Sequence, residues 1–353
     1  MTALLDARLD FTLDAEHEAH EPPEARGLAR DGVRLLVSRG ESDPIDARFA
    51  QLATFFSPGD LLVVNTSGTI PAALDGRLPD GQPIVVHLSG ELPGGVWLVE
   101  VREPRDGSTA PRFLESPVLI DLLAGGHVRL LERFSGSQRL WLAAFDPGFP
   151  VLEMAARHGR PIRYRHVPRD WPVDCYQTVF SREPGSVEMP SASRPISHAV
   201  VSDLVARGVT IAPLLLHTGV SSLEGGEAPY PERFRVPLAT ADLANATRGR
   251  GGRIVAAGTT VVRALATVTD EHGGVHPGEG WTEVVVTPER PVRSIDGLLT
   301  GWHEAESSHL MMLEAFAGRR ALELAYTTAV ELGYLWHEFG DSHLILPAGD
   351  GDR

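Results

Sequence analysis

The chain has 353 residues, 42% apolar and 22% charged, which fits a soluble globular protein with a sizeable core and argues against disorder. Its 47 acidic and 32 basic residues leave a formal charge of −15, so indiscriminate nucleic-acid binding is excluded and only a local basic patch could serve RNA. A lone cysteine, Cys175, excludes internal disulfides and cysteine-based metal clusters.

Met1-Thr2-Ala3-Leu4-Leu5-Asp6 has no basic segment followed by an apolar core, and no apolar run approaches the roughly 20 residues of a membrane helix. A cytoplasmic protein with no membrane partner is expected. Residues 1–30 are acidic and broken by Pro22 and Pro23, which reads as an extended lead-in. Arg34 to Ser38 reads as a strand, and the spacing of apolar residues from Ile45 to Phe56 predicts a helix. Leu61 to Val64 is a buried strand running into the polar loop Asn65-Thr66-Ser67-Gly68-Thr69. Ligands gather at such strand ends in open α/β sheets, although a loop held by its own side chains reads the same way.

Between about 72 and 148 the texture changes. Ala72–Leu78, Pro83–Ser89, Gly95–Arg102, Val118–Leu123, His127–Phe134 and Arg139–Phe145 are six short strand-like runs separated by turn signals. With no long helix among them they predict a small antiparallel barrel, inserted into the surrounding α/β texture. The expected division is a discontinuous main domain, 1–71 and 149–353, and an inserted barrel, 72–148.

Val151 to His158 reads as a helix. The stretch after it holds Arg157, Arg160, Arg163, Arg165 and Arg169, five arginines within thirteen residues. It reads either as a phosphate-contacting patch or as an internally paired surface. Tyr176-Gln177-Thr178-Val179-Phe180 reads as a strand, followed by a Gly/Ser/Pro-rich loop from Ser181 to Pro195. Helix His198–Arg207 feeds strand Val209–Leu216, which ends in His217-Thr218-Gly219-Val220-Ser221-Ser222. A histidine just past a strand end suits an acid, a base or a hydrogen-bond donor.

Farther on, Ile254–Ala257 is an apolar run between glycines, and Thr259 or Thr260 is expected to cap the helix that follows. Such a strand, turn and helix start gathers free amides and partial positive charge, with Arg263 one turn along. Thr282–Thr287 reads as a strand. Thr300-Gly301-Trp302-His303-Glu304-Ala305-Glu306-Ser307 precedes a helix, Ser308–Ala317, that Ser307 is expected to cap. A loop with Asp341 leads to a last strand. No His-x-x-x-His or Glu-x-x-His pair falls on a helix, so no metal is expected. Nor is there a Gly-x-Gly-x-x-Gly, a P-loop or a Gly-x-Ser-x-Gly.

The order of these pieces resembles one family, the S-adenosylmethionine:tRNA ribosyltransferase-isomerases of the queuosine pathway. The resemblance runs from about 31 to 346. It is carried by Pro58-Gly59-Asp60-Leu61-Leu62-Val63-Val64-Asn65, Tyr176-Gln177-Thr178-Val179, Gly185-Ser186-Val187 and Leu216-His217-Thr218-Gly219. Gly251 to Arg263, Asp296-Gly297-Leu298-Leu299-Thr300, His303 with Ser307, and Gly340-Asp341 add to it. It implies an α/β barrel-like main domain with an inserted six-stranded antiparallel β-barrel.

It also implies transfer and isomerisation of the ribosyl part of S-adenosylmethionine, as co-substrate, onto a 7-aminomethyl-7-deazaguanine base in a tRNA anticodon. His217, His303 and Asp341 then stand at catalytic positions. Asn65, Tyr176, Gln177, Glu232, Thr259, Thr260, Arg263 and Ser307 stand at substrate-binding ones. The chain departs from the family at Glu188 to Ile196, where Pro195 replaces a histidine, and at Gly301 to Ala305. Glu232 survives alone from a longer motif. A small-molecule acceptor or a non-catalytic ligand-binding homologue are therefore the alternatives to tRNA modification, with a monomer or weak homo-oligomer expected.

Overall fold

The computed structural model describes residues 9, 11–105, 108–146, 148–220, 230–305 and 307–348. Ser221, Ser222 and Glu306 of the expected loops lie outside them. In chain order the first strands are Arg34–Arg39 (β1), Ile45–Arg48 (β2), Leu61–Asn65 (β3) and Ser67–Thr69 (β4). Ala73–Arg77 (β5), Pro83–Leu92 (β6), Val96–Arg105 (β7), Ser108–Pro111 (β8), Leu119–Leu122 (β9), His127–Arg133 (β10) and Leu140–Phe145 (β11) follow. The rest are Glu183–Ser186 (β12), Thr210–Leu216 (β13), Glu232–Val236 (β14), Ile254–Ala257 (β15), Gly278–Thr282 (β16), Gly297–Gly301 (β17) and Ser342–Leu346 (β18). The α-helices are Val151–His158 (α1), His198–Ala206 (α2), Leu238–Gly249 (α3), Thr259–Thr267 (α4), Ser308–Ala317 (α5) and Arg319–Glu331 (α6).

The main sheet has nine strands in the order β16-β14-β13-β3-β15-β17-β18-β1-β2. β3 lies between β13 and β15, parallel to both, and is buried throughout. Its apolar run serves two layers because alternate side chains leave opposite faces. Leu61 and Val63 join a core with residues of α3, α4, α5 and α6. Leu62 and Val64 join another with Phe49, Leu52, Val200 and Leu204. The C-terminal ends of β3, β13, β15 and β17 thereby share one edge, and the start of β18 meets it antiparallel beside β17.

The six runs close into the antiparallel barrel β5-β6-β7-β11-β10-β9, with β8 added on the outside of β7. It has its own apolar core, including Val86, Val99, Ile120, Val128 and Trp141.

Several local expectations are corrected. Ile45–Arg48 is an edge strand on β1, and only Phe49–Phe55 is helical, as a 3-10 turn. Tyr176–Phe180 is not a strand: Val173–Tyr176 is a 3-10 turn with Tyr176 packed on Phe339. The strand expected at Thr282–Thr287 lies at Gly278–Thr282, where it pairs with β14. Thr259 and Thr260 are helical residues rather than caps. Gly258 holds the N-cap with φ 103°, a conformation suited to glycine, and gives no side-chain cap.

Candidate active site

The site grows from the shared strand edge. Asn65, at the end of β3, is fully buried and clamps its neighbour: its Oδ1 accepts from Leu216 N (3.0 Å) and Ser67 N (3.1 Å). Its Nδ2 donates to Leu216 O (2.8 Å) and reaches Thr260 Oγ1 at 3.4 Å. This amide therefore fixes the end of β13 against the start of α4, and so fixes where His217 emerges. His217 Nδ1 lies 2.7 Å from Ser67 Oγ, which lies 2.6 Å from Ser186 Oγ on β12. Gly185 lies flush on the imidazole, since a Cβ there would sit 2.6 to 2.7 Å from three ring atoms. Burial pushes His217 down to about 4, so the ring is neutral near pH 7.

A cleft of about 310 Å³ opens in front of this ring, walled by Gly90, Leu92 and Trp97 of the barrel and by Glu232, Arg233 and Trp281 of the main sheet. The barrel wall is pinned by a register shift between Leu88 and Gly90, and Ser89 Oγ there accepts from Val220 N (3.2 Å). Gly219 permits the approach, because a Cβ would meet Ser89 Oγ at 2.8 Å.

Glu232 accepts from Gly219 N (3.1 Å) through Oε1 and from the Arg263 guanidinium through Oε2. Burial raises its carboxyl pKa against the pull of Arg263. Arg263 also donates to Val284 O (3.1 Å), Thr282 O (3.3 Å) and Tyr230 O (3.4 Å). Its fork is committed beneath Glu232 instead of leaning over the start of α4, as its spacing suggested.

His303 and Ser307 lie farther along the same edge. His303 Nε2 is 3.0 Å from Thr300 Oγ1, and its ring stacks on His309 at 4.6 Å. Ser307 caps α5 as expected, its Oγ accepting from His309 N and lying 3.0 Å from His309 Nδ1. Burial lowers His303 well below the ordinary imidazole range and His309 to about 4.

Tyr176, Gln177 and Asp341 are not brought to the cleft. Gln177 brackets the Thr69 backbone, donating to its carbonyl (2.8 Å) and accepting from its amide (3.0 Å). Asp341 takes the Arg34 amide (2.7 Å) and the Leu335 amide (2.8 Å), one on each oxygen. The arginine stretch is largely paired: Arg157 with Glu153, Arg160 with Asp75, Arg163 with Asp170 and Arg169 with Glu21.

Sequence reasoning gave no role to Ser67, Ser186, Ser89, Trp97, Arg233 or Trp281. Arg233 and Trp281 are register partners across β14 and β16, a pairing legible only once β16 is placed correctly. Among the described residues no group of three or more His, Cys, Asp and Glu is arranged to hold a metal, and no helix is long and apolar enough to cross a membrane.

A mixed α/β sheet carrying a six-stranded barrel, with an imidazole and a buried carboxylate on the cleft between them, defines an α/β protein with a polar inter-module site. Residues 7–345 match the family described as queuosine biosynthesis protein, and the chain belongs to that family. A relative from Geobacter sulfurreducens, named S-adenosylmethionine:tRNA ribosyltransferase-isomerase, is 34% identical over 97% of this chain and 100% of its own. One of the same name from Moorella thermoacetica is 35% identical, covering 96% and 98%. The crystal structure of S-adenosylmethionine tRNA ribosyltransferase from Thermotoga maritima aligns with TM-score 0.53 and 27% identity, over 96% of this chain and 99% of that one.

Proposed function

We propose that this protein transfers and isomerises the ribosyl part of S-adenosylmethionine onto a 7-aminomethyl-7-deazaguanine base in a tRNA anticodon, giving epoxyqueuosine, adenine and methionine. The observation that carries the reading is His217 and Glu232 on one cleft, in a chain of the queuosine biosynthesis family. A sulfonium acidifies the neighbouring ribose carbon and makes methionine a good leaving group, so the protein must supply a proton acceptor and a polar cradle. Glu232 suits the acceptor: burial raises its proton affinity, while the paired Arg263 pulls the other way, toward the carboxylate. The first turn of α4, without a side-chain cap, suits a carboxylate. At the mouth, Trp281 is 40% exposed, and the Arg233 guanidinium lines the cleft near Glu183, whose carboxyl it helps to lower. An indole face beside a cation suits a flat base on a phosphate backbone.

The test incubates the protein with S-adenosylmethionine and tRNA carrying the precursor base, and follows adenine and methionine release. Release that depends on both supports the reading, and no release across a panel of precursor tRNAs overturns it. The internal pairing of the arginine stretch favours a second reading, a small-molecule acceptor. Binding of S-adenosylmethionine without salt-dependent tRNA retention would select it. The setting we propose is the cytoplasm, as a monomer or weak homo-oligomer, which gel filtration checks.

A further inference from the structure

Behind His217 the hydroxyl protons can be counted. The fixed end is the Thr218 backbone amide, which donates to Ser186 Oγ at 3.1 Å and cannot reverse. Ser186 therefore accepts there and has one proton of its own to place. It is fully buried, and its remaining hydrogen-bond partner among the described residues is Ser67 Oγ at 2.6 Å. Ser67, equally buried, sits between that oxygen and His217 Nδ1.

Only one direction satisfies every group: Thr218 N–H to Ser186, Ser186 O–H to Ser67, Ser67 O–H to Nδ1. If Nδ1 carried the proton, Ser67 would have to accept it, and one of the two serine protons would then be buried with no acceptor, at the full desolvation penalty of a polar group. We infer that Ser67, itself held by Ser186, is a positioning residue that keeps His217 as its Nε2–H tautomer, so that it offers the cleft a hydrogen-bond donor and not a lone pair.

Burial, which keeps the ring neutral, agrees with this assignment. So does Gly185, whose bare Cα lets the ring lie where Nδ1 meets Ser67. Among the described residues no protein group takes the Nε2 proton, which leaves it for a ligand. The matching ligand atom is an acceptor, an oxygen or an unprotonated ring nitrogen, and the donor acts most strongly on an oxygen that gains negative charge. The inference rests on the proposed function only in taking the cleft as the ligand site.

The deciding measurement needs no turnover. In 15N-labelled protein near pH 7, the His217 ring is assigned as the signal pair lost in His217→Gln. A pyridine-type Nδ1 with a pyrrole-type Nε2 is expected, and a pyrrole-type Nδ1 would overturn the inference. Ser67→Ala removes the hydroxyl whose proton Nδ1 accepts and is expected to shift the Nδ1 signal and weaken the bias to the Nε2–H tautomer; an unchanged ring signal in that folded variant would remove the positioning role. Ser186→Ala leaves Nδ1 as the remaining acceptor for the Ser67 proton and is expected to keep the tautomer, and a switch there would overturn the proton count.

In the ribosyl-transfer assay, once the wild type turns over, His217→Ala is expected to lose on the order of 10²–10³-fold. His217→Gln keeps an N–H donor near the Nε2 position and is expected to retain at least about tenfold more than alanine. Equal losses in the two variants would overturn the donor role. An inactive wild type would instead count against the proposed function, leaving the tautomer to the NMR result.

Discussion

Two histidine sites stand at strand ends along one edge of the main sheet, with β3 and β15 between their strands, and in sequence they look alike. His217 follows β13 and His303 follows β17, each in a loop with Thr and Gly nearby. In space they differ. His303 is held by local groups, Thr300 three residues before it and the His309 ring six after it, and its backbone is tied by Tyr326 Oη and Trp336 Nε1. His217 is held by Ser67, 150 residues away in sequence, and its ring borders the cleft. Local partners make a rigid turn. Distant partners, with a glycine on the ring and space in front, make a positioned chemical group.

The largest effect that would break this contrast is at Glu232. Glu232→Gln keeps the side-chain volume but removes the proposed base, so turnover is expected to fall on the order of 10²–10⁴-fold. Steady-state rates beside calorimetric S-adenosylmethionine binding check it; a near-normal rate would move the base elsewhere. Gly185→Ala comes next. Its methyl displaces the His217 ring, and a misplacement of that kind costs up to about 10²-fold in rate. Thermal unfolding of the same variant separates displacement from misfolding.

His303→Ala should do the reverse, lowering stability by about 1–3 kcal/mol while turnover falls less than about tenfold. Denaturant titration beside the rate assay decides, and a rate loss matching that of His217→Ala would make the two sites equals.

The smallest effect is shared by both sites. Burial holds His217, His309 and His337 at about 4 and His343 at about 3 in the folded chain, against an ordinary 6.5. The unfolded chain binds more protons between those values, so stability is complete above about 6.5 and is lost as pH falls toward 4. Differential scanning calorimetry should show the unfolding midpoint dropping by several degrees over that range. His309→Gln is expected to flatten part of the slope.

The elements legible in sequence are those whose burial is decided within a few residues. Leu61–Val64, Ile254–Ala257 and the six barrel runs are apolar stretches between turn signals, and the structure keeps them with end shifts of a few residues. Ile45 to Phe56 misled because apolar residues at 45, 49, 52, 53 and 56 mimic a helical face. Ile45 is in fact half-exposed on an edge strand, while Phe49 and Leu52 reach the core from a 3-10 turn. Tyr176 to Phe180 misled because Tyr176 packs on Phe339 while Val179 and Phe180 pack against the core of Phe49 and Leu52, with no ladder between them. His217 was legible from its place after a strand, and Glu232 from the family resemblance. Ser67 and Ser186 were not, because their pairing is 119 residues apart and exists only once β4 and β12 lie side by side.

The seam at Ser89 has a consequence for how the cleft is divided along the chain. One wall of the cleft belongs to the sheet that carries His217 and Glu232; the other belongs to a hairpin, β6–β7, inserted between consecutive parts of that sheet. Ser89 and Gly219 are the joint between them. Substitutions at Leu92, Trp97 or Leu98 would reshape that wall without touching the strands of His217 and Glu232, the groups proposed to react. The hairpin wall of the cleft and the groups proposed to react thus lie on separate stretches of one chain.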